Sequence, residues 1–519
     1  MMPIRLPDFL YKLKYNLFPE YFLYSFLAAG IEAIHPISPD EEDRIDTKYA
    51  TIATDIIKKT KDTSDPLIVW STVLMAVYHW KTVDNRNFMY LANLSRLVVK
   101  KTKLYKIDVK KNVLNLQNDN DLEFKRRIWW TYYLSFIGMC IFRVGFYIVE
   151  DKDIIVNLPS DDFKWRYGGE VKECDPELVS LNIAANNNFK YRPDFDCLSD
   201  TIKLYTLHRK ISSFVNYRGL NSSTNLHKIY AKFGFYAKKL DTIKLQLDKK
   251  YEKVVFYNCM NTFESYSGIN LFKKTELLEK TYVIKQMYNC CAVLLYQSEL
   301  TRHFHSILDH KRVKAAKIKC LKYSFKISEL LSWKFNNVPQ NYMSTVLVPW
   351  KISSAAILMN LCFINDHESQ FLTEDFYFSF IDKILQTTAD HLTAHNLYSI
   401  LKISYTIKQS AFKKNKQYTK FRDLMLKYSI SNLDIDPWLV PRFSTFFNYN
   451  CCLLSNFNTL DIKEFLSTSN GEIPKNQSTT SSKSSPSINN DYLEGIDNVE
   501  QLYNEFSKIS RGFKFLESK

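Results

Sequence analysis

The amino-acid sequence predicts an all-α protein, mainly because residues that break helices are scarce in it. Of 519 residues only 11 are glycine, and none lies between Gly268 and Gly471. Proline is absent from three long stretches, 67–158, 194–338 and 350–436. Folds rich in β-structure need glycine at tight turns, whereas tracts without either residue can propagate helix. The apolar fraction of 46% and the aromatic fraction of 15% predict that these helices bury a large core.

The composition divides the chain into segments. Residues 1–170 hold the most informative motifs, and helical periodicity continues over 171–466 as part of the same large body. Residues 467–490 are rich in Ser, Thr, Asn, Lys and Pro, and they have almost no bulky apolar side chain. Such a segment cannot bury enough surface to offset the entropy of ordering, so a disordered linker is predicted. The linker leads to a short acidic tail, 491–519.

The tail combines acidic and apolar side chains. Residues 491–506 contain five acidic residues and no basic one, and an apolar stripe with helical spacing begins at Val499. This composition is typical of a transcriptional activation segment, which folds when a partner groove receives its apolar face. The alternative is a helix that docks onto the body of the chain. The candidate activation residues are Tyr492, Leu493, Val499, Leu502, Tyr503 and Phe506.

Charge and cysteine content restrict the class of protein. The net charge of +15 accompanies an abundance of Lys, Asn, Ile, Tyr and Phe that is typical of an AT-rich genome, so it indicates a solvated surface rather than a nucleic-acid groove. The ten cysteines show no C-x-x-C spacing and are predicted to be reduced, buried thiols. The apolar stretch 128–149 contains Arg143, which favours a buried helix over a membrane span, and no membrane association is expected.

Motifs for catalysis or metal binding are missing from the sequence. It contains no G-x-x-x-x-G-K, G-x-G-x-x-G or G-x-S-x-G pattern. His391 and His395 would share a helical face, but Leu392 occupies the position of the glutamate in a zinc-protease helix. The chain is therefore predicted not to be an enzyme, with no catalytic residue, no metal ligand and no cofactor of its own.

Two basic clusters have helical spacing, one within 408–427 and one within 311–322. Either cluster could contact phosphate, and the first could act as a nuclear-import signal. A solvated helix face is the more frequent outcome for such clusters. The second cluster consists of Lys311, Arg312, Lys314, Lys317, Lys319 and Lys322.

The string Arg126-Arg127-Ile128-Trp129-Trp130 is the most informative motif. In a helix, apolar residues at intervals of three and four follow both Trp129 and Trp130 along the chain, so two adjacent stripes are predicted to be buried. This helix is predicted to be central to the core. The two arginines are predicted to anchor it by ion pairs with acidic residues and by stacking on aromatic rings.

An acidic turn with an isoleucine and a Leu-Pro stop follow this string. In this order the motifs resemble the middle homology region of fungal zinc-cluster transcription factors, the xylanolytic activator-like regulatory domain. Upstream, 67–80 and 87–92 look like the two helices that precede the region in that family. Phe136 departs from the pattern, since the family places an aspartate there. The motif residues, which the resemblance makes structural, are Arg126, Arg127, Trp129, Trp130, Asp151, Asp153, Ile154, Leu158 and Pro159.

The resemblance implies a large helical regulatory domain that modulates transcription by RNA polymerase II in the nucleus, with shuttling to the cytoplasm as a further option. The family's DNA reader is a six-cysteine zinc cluster, and the first cysteine here is Cys140. DNA and zinc are therefore expected only through an upstream cluster or a partner domain.

Expected partners are the transcription machinery or another DNA-bound regulator, together with a small-molecule effector whose binding residues the sequence does not name. The alternative is an intracellular α-helical interaction scaffold with no DNA binding of its own.

Overall fold

The computed structural model describes the chain in part. The described residues are 3–31, 44–82, 84–109, 119–140, 149, 151–159, 162–167, 197–217, 226–252, 254, 256, 269–299, 310–338, 354–359, 377, 378, 381, 401 and 405. No strand occurs among them, which confirms the predicted all-α class. The predicted linker and tail, 467–519, lie outside the described residues, as does the basic cluster within 408–427.

The helices follow one another along the chain and are numbered here in that order. They are α1 (Leu6–Lys14), α2 (Glu20–Gly30), α3 (Ile45–Lys59), α4 (Pro66–Lys81), α5 (Asn85–Thr102), α6 (Asp119–Cys140), α7 (Asp162–Tyr167), α8 (Cys197–Tyr217), α9 (Leu226–Lys250), α10 (Ile269–Gln297) and α11 (His310–Asn337). Two short 3-10 turns, Leu104–Lys106 and Asp151–Asp153, lie between these helices.

The chain forms two compact units. Unit 1 comprises Met1–Lys210, Thr242–Lys285 and Asp390–Thr393, and unit 2 comprises Ile211–Asp241, Gln286–Ala389 and Ala394–Lys519. The segment boundaries expected from composition, at 170, 466 and 490, stay predictions.

Helix α4 lies at the centre of the unit 1 helices. It contacts α2, α3, α5 and α6, and twelve of its sixteen residues are buried, including Trp70 and Trp80. A helix that is apolar on all sides needs such an enclosed position, because any exposed face would leave apolar surface in water. The sequence-based helices at 67–80 and 87–92 are confirmed as parts of α4 and α5.

Polar side chains fix where these helices begin. The Asp65 side chain accepts a hydrogen bond from the Leu67 amide at 2.8 Å, and Pro66 fills the first turn, where its missing N–H costs nothing. Tyr21 of α2 donates to Asp65 at 2.8 Å, so the cap also joins two helices. Asp84 caps α5 through the Asn87 amide and contacts His79 of α4 at 3.1 Å. Burial lowers the pKa of His79, although Asp84 opposes this effect.

Aromatic rings and buried hydroxyls hold the unit 2 helices together. Tyr296 of α10 stacks on Tyr323 of α11 with ring centroids 6.3 Å apart, and Phe233 of α9 meets Tyr296 edge-on at 5.8 Å. The Ser354 hydroxyl donates to the Ser324 carbonyl at 2.9 Å. The contacts combine burial of large apolar surfaces with geometries that aromatic pairs prefer.

The described cysteines agree with the expectation of buried free thiols. Cys197, Cys290, Cys291 and Cys320 are all free and buried.

Of the helices in the described part of the chain, none combines the length and the apolarity that crossing a bilayer requires.

Candidate functional site

The arginine and tryptophan motif lies on α6 and forms the centre of a buried cluster in unit 1. Arg126 donates to Asp108 through Nε, at 3.0 Å from both carboxylate oxygens, and through Nη2, at 2.6 Å from Oδ1. The Asp108 side chain is only 4% exposed. Asp108 also accepts a hydrogen bond from the Asn157 amide at 2.6 Å, so a single carboxylate ties α6 to the segment that contains the Leu-Pro stop.

That segment, 154–159, runs beside the turn that follows α5. The Ile155 amide donates to the Tyr105 carbonyl at 2.8 Å, and the Asp108 amide donates to the Ile155 carbonyl at 3.1 Å. Trp130 donates its indole N–H to the Asn157 carbonyl at 2.8 Å. Every polar bond in this group therefore joins parts of the chain that are distant in sequence.

Alternate side chains of 154–159 enter the core. Ile154, Val156 and Leu158 are each 2% exposed or less, whereas Ile155 is 40% exposed. Extended backbone points successive side chains to opposite sides, which explains the alternation. Pro159 is also buried. The motif residues Ile154, Leu158 and Pro159 thus belong to one packed segment.

Arg127 is completely buried and has partners on two sides. It donates to Glu123 on its own helix at 2.8 Å and to Asp162 of α7 at 2.6 Å. Its guanidinium carbon lies 5.2 Å from the centre of the Trp165 ring. The predicted ion pairs for Arg126 and Arg127 are confirmed, and so is the predicted stacking for Arg127.

Asp162 collects three cations. Besides Arg127, it accepts hydrogen bonds from Arg166 and from Lys280 of α10, each at 2.7 Å. Burial by itself would raise the pKa of this carboxyl, but Lys280, Arg127 and Arg166 outweigh it and hold the pKa far below its usual range. A carboxylate in this state is a fixed negative charge and not a proton carrier near neutral pH.

Trp165 extends the cluster towards the start of the chain. Its indole N–H donates to the Pro3 carbonyl at 3.3 Å, and the ring is 1% exposed. The Trp165 ring thus contacts Arg127 on one side while its edge holds the segment before α1. Trp165 is therefore buried where α7 meets the start of the chain, whereas Asp162 is half-buried.

Trp129 and Trp130 occupy the two buried sides of α6. The Trp129 ring centroid lies 6.4 Å from that of Tyr105 and 5.8 Å from that of Tyr132, and Trp130 meets Tyr133 edge-on at 5.2 Å. Both tryptophans are 2% exposed or less. The predicted burial of the two stripes is thus confirmed for their aromatic residues as far as Phe136, whereas Leu134 is only half-buried.

The acidic turn at Asp151–Asp153 makes few of the contacts that hold the buried cluster together. Asp151 and Asp153 form the ends of a 3-10 turn. The Asp153 side chain is 44% exposed and lies 3.9 Å from Lys106, a distance typical of a weak surface ion pair. This turn contributes mainly by shaping the chain ahead of Ile154.

Sequence reasoning did not identify the carboxylates that the arginines bind. Glu123 precedes Arg127 by four residues, a spacing that indicates a helical ion pair and could have been used. Asp108 and Asp162 give no such signal, because they lie 18 and 35 residues from their arginines.

Other candidate chemistry is limited in the described part of the chain. A second buried group joins Asp200 to Tyr251 at 2.7 Å and to Lys250, with Cys197 at 3.6 Å from the tyrosine oxygen. Burial raises the pKa of Cys197 to about 11, which keeps it a thiol and suppresses nucleophilic reactivity. Within the described ranges, no group of three or more His, Cys, Asp or Glu residues could hold a metal ion. His391 and His395 lie outside those ranges.

The basic cluster within 311–322 lies on α11, as its spacing predicts, but two of its members are not simply solvated. Arg312 donates to Glu299 at 3.0 Å, and its guanidinium carbon lies 4.1 Å from the centre of the Tyr230 ring. Lys319 lies 5.3 Å from the centre of the Tyr296 ring. Lys322 is exposed, as expected for a solvated face.

The geometry of the arginine and tryptophan cluster is that of a framework. Its carboxylates accept bonds from cations, and the cluster joins α6, α7 and α10 to the segments 105–109 and 154–159. The candidate activation residues Tyr492, Leu493, Val499, Leu502, Tyr503 and Phe506 lie outside the described residues.

Comparisons with family models, with curated proteins and with solved structures found no match to this chain.

Proposed function

We propose that this chain is the regulatory domain of a fungal-type transcription factor, which acts in the nucleus and modulates transcription by RNA polymerase II. It reaches DNA through an upstream zinc-cluster reader or through a DNA-bound partner, and zinc would belong to that reader. The observation that carries the proposal is the joint packing of the motif segments, from Asp108 through the basic and aromatic pairs to Leu158 and Trp165.

This packing supports the proposal because the resemblance treats these motifs as architecture. The segments are separated in sequence, yet they meet through a bidentate ion pair, an indole hydrogen bond and buried apolar side chains. Charged pairs of this kind are geometrically specific and costly to break singly, so they define one arrangement of the helices. A body of this kind can transmit the binding of an effector or a partner, and a small-molecule effector remains part of the proposal.

The acidic tail, 491–519, is proposed to activate transcription. Its acidic and apolar side chains suit recruitment of the transcription machinery through coupled folding and binding. The test fuses the full chain to a heterologous DNA-binding domain and measures a reporter gene. We expect activation above that of the DNA-binding domain alone. Replacing Leu502, Tyr503 and Phe506 together by alanine should abolish this activation.

A matched control replaces three linker residues, Ser478, Thr479 and Thr480, by alanine. The control should activate as the unaltered fusion does, because the linker acts only as a spacer. Equal loss in both variants would show that the tail's apolar face is not the recruiting element.

The alternative is an interaction scaffold, and one observation favours it. Helix α1 and the turn after it expose large apolar side chains, a feature that often marks a protein interface. These residues are Leu10, Tyr11, Leu13, Tyr15 and Leu17, each 44% to 59% exposed. Failure of the fusion to activate or repress the reporter, with or without 491–519, would favour the scaffold and contradict the regulatory proposal.

A further inference from the structure

One face of α9 within unit 2 is both strongly basic and aromatic. Phe235 is 60% exposed, which is unusual for so large an apolar side chain. Lys228, Lys232 and Lys238 are exposed around it, and Lys239 is half-buried. No acidic residue occurs from 226 to 240. The face therefore carries positive charge around a single exposed ring.

The helical geometry brings these side chains together. At 3.6 residues per turn, Lys228, Lys232 and Lys239 lie within about 60° of Phe235 around the helix axis. The Lys239 ammonium is 6.0 Å from the centre of the Phe235 ring, and the ring meets that of Tyr236 edge-on at 5.4 Å. Neighbours thus restrict the ring while it stays open to solvent.

The backbone beside the exposed ring leaves space for another molecule. A Cβ atom at Gly234, beside Phe235, would meet nothing within 4 Å, so packing inside the protein does not explain this glycine. Glycine costs about 1 kcal/mol relative to alanine in a helix interior, and it allows another molecule to approach closely.

The chemistry of this face fits one class of ligand best. A helical peptide needs an apolar groove with several anchoring positions, whereas this face is convex and has one exposed ring. A bilayer surface needs a broad apolar face that can be inserted, which a single phenylalanine does not provide. A single nucleic-acid strand is bound by aromatic rings on which its bases stack and by cations that follow its phosphates, and this face supplies one such ring among lysines.

We propose that the α9 face formed by Lys228, Lys232, Phe235 and Lys239 binds single-stranded nucleic acid, with a base stacked on Phe235 and phosphates beside the lysines. From Lys228 to Lys239 the helix advances about 16 Å. This length matches about five nucleotides of one strand at 3.4 Å each. The inference does not depend on the regulatory function, since it rests on this face alone.

The test measures fluorescence anisotropy of a labelled oligothymidine of about 20 nucleotides with the full chain at several salt concentrations. Phe235→Ala should weaken binding about tenfold and leave the salt dependence unchanged, because it removes stacking but no charge. Phe235→Tyr should retain affinity. Replacing Lys228 and Lys232 by glutamine should reduce the slope of log affinity against log salt by about 1.4, since each phosphate contact in a single strand contributes about 0.7.

A matched control replaces Lys61 and Lys100, two exposed lysines of unit 1, by glutamine and should change neither quantity beyond the general effect of net charge. All the substituted side chains are exposed, and circular dichroism melts establish that each variant folds. Three outcomes would overturn the proposal: no binding at low salt, equal binding by the Phe235→Ala variant, or equal loss in the control. Binding of a peptide with the sequence 491–506 in place of the oligonucleotide would overturn it as well.

Discussion

Each unit contains an arginine held between a buried carboxylate and an aromatic ring, and the two sites differ in their exposure to water. In unit 1, Arg127 is 0% exposed and pairs with Glu123 and Asp162 while it lies against Trp165. In unit 2, Arg312 is 33% exposed and pairs with Glu299 while it lies over Tyr230. Both sites combine an arginine, a carboxylate and an aromatic ring. Only Arg312, in the second site, is exposed enough to exchange its hydrogen bonds for bonds to water.

The comparison shows how burial sets the consequence of losing an arginine. Removing Arg127 takes a cation from Glu123, which is 1% exposed, and from Asp162, and weakening the pairing of a buried carboxylate is among the most costly defects in a protein. Glu299 is also buried, at 2% exposed, but Arg312 itself is 33% exposed, so its removal lets water reach the carboxylate and replace many of the lost hydrogen bonds. The free energies of unfolding should therefore separate the two sites.

The largest expected effect comes from Arg127→Met. It should lower the free energy of unfolding by about 3–5 kcal/mol, because Glu123 loses its buried partner and Asp162 loses one of three cations. Urea unfolding followed by tryptophan fluorescence measures this change. The control Arg86→Met, at an exposed position of α5, should stay within about 0.5 kcal/mol of the unaltered protein. A loss below 1 kcal/mol for Arg127→Met would contradict the argument.

The next effect is a dependence of stability on pH that originates at Asp162. Burial acts to raise its pKa, but Lys280, Arg127 and Arg166 lower the pKa in the folded chain well below the unfolded value of about 4. The stabilisation is therefore complete above about pH 4 and is lost as the pH falls below that value. Between pH 5 and pH 2 the unaltered protein should lose about 2 kcal/mol more than Asp162→Asn, as measured by urea unfolding at each pH. Parallel curves for both proteins would rule out this origin.

A smaller loss is expected for Arg312→Met, about 1–2 kcal/mol. The substitution removes the hydrogen bonds to Glu299 and the contact with Tyr230, but water can approach the site. The same urea measurement, read against Arg127→Met, tests the comparison directly. Equal losses at the two arginines would mean that exposure to water does not decide their contributions.

The smallest expected effect is on thiol labelling. It shows which of the two units the Arg127→Met substitution destabilises. Cys197 of unit 1 is buried with its pKa raised to about 11, so at pH 8 it should stay unmodified by iodoacetamide in the folded protein. Arg127→Met should increase its labelling, because local opening becomes less costly. Peptide mapping by mass spectrometry compares it with Cys290, Cys291 and Cys320. Faster labelling of these three unit 2 thiols to the same extent would show that the defect spreads through the whole chain.

Sequence patterns predicted the helices of the motif region well, because their signals are local. The apolar stretch at 67–80 and the stripes that begin at Trp129 and Trp130 are the recurring buried positions of single helices. The need of the arginines for acidic and aromatic partners was also predictable, since a cation on a buried helix requires them. The identity of those partners was not predictable from one sequence.

The scarcity of glycine and proline and the spacing of apolar residues by themselves determined an all-α chain with α6 buried on two sides. Only the tertiary structure decided that Asp108 and Asp162 receive Arg126 and Arg127, and that Phe235 stays exposed among lysines. The physical reason is that helix formation depends on residues a few positions apart. The pairing of charges and the exposure of the Phe235 ring depend on which distant segments meet when the core is packed.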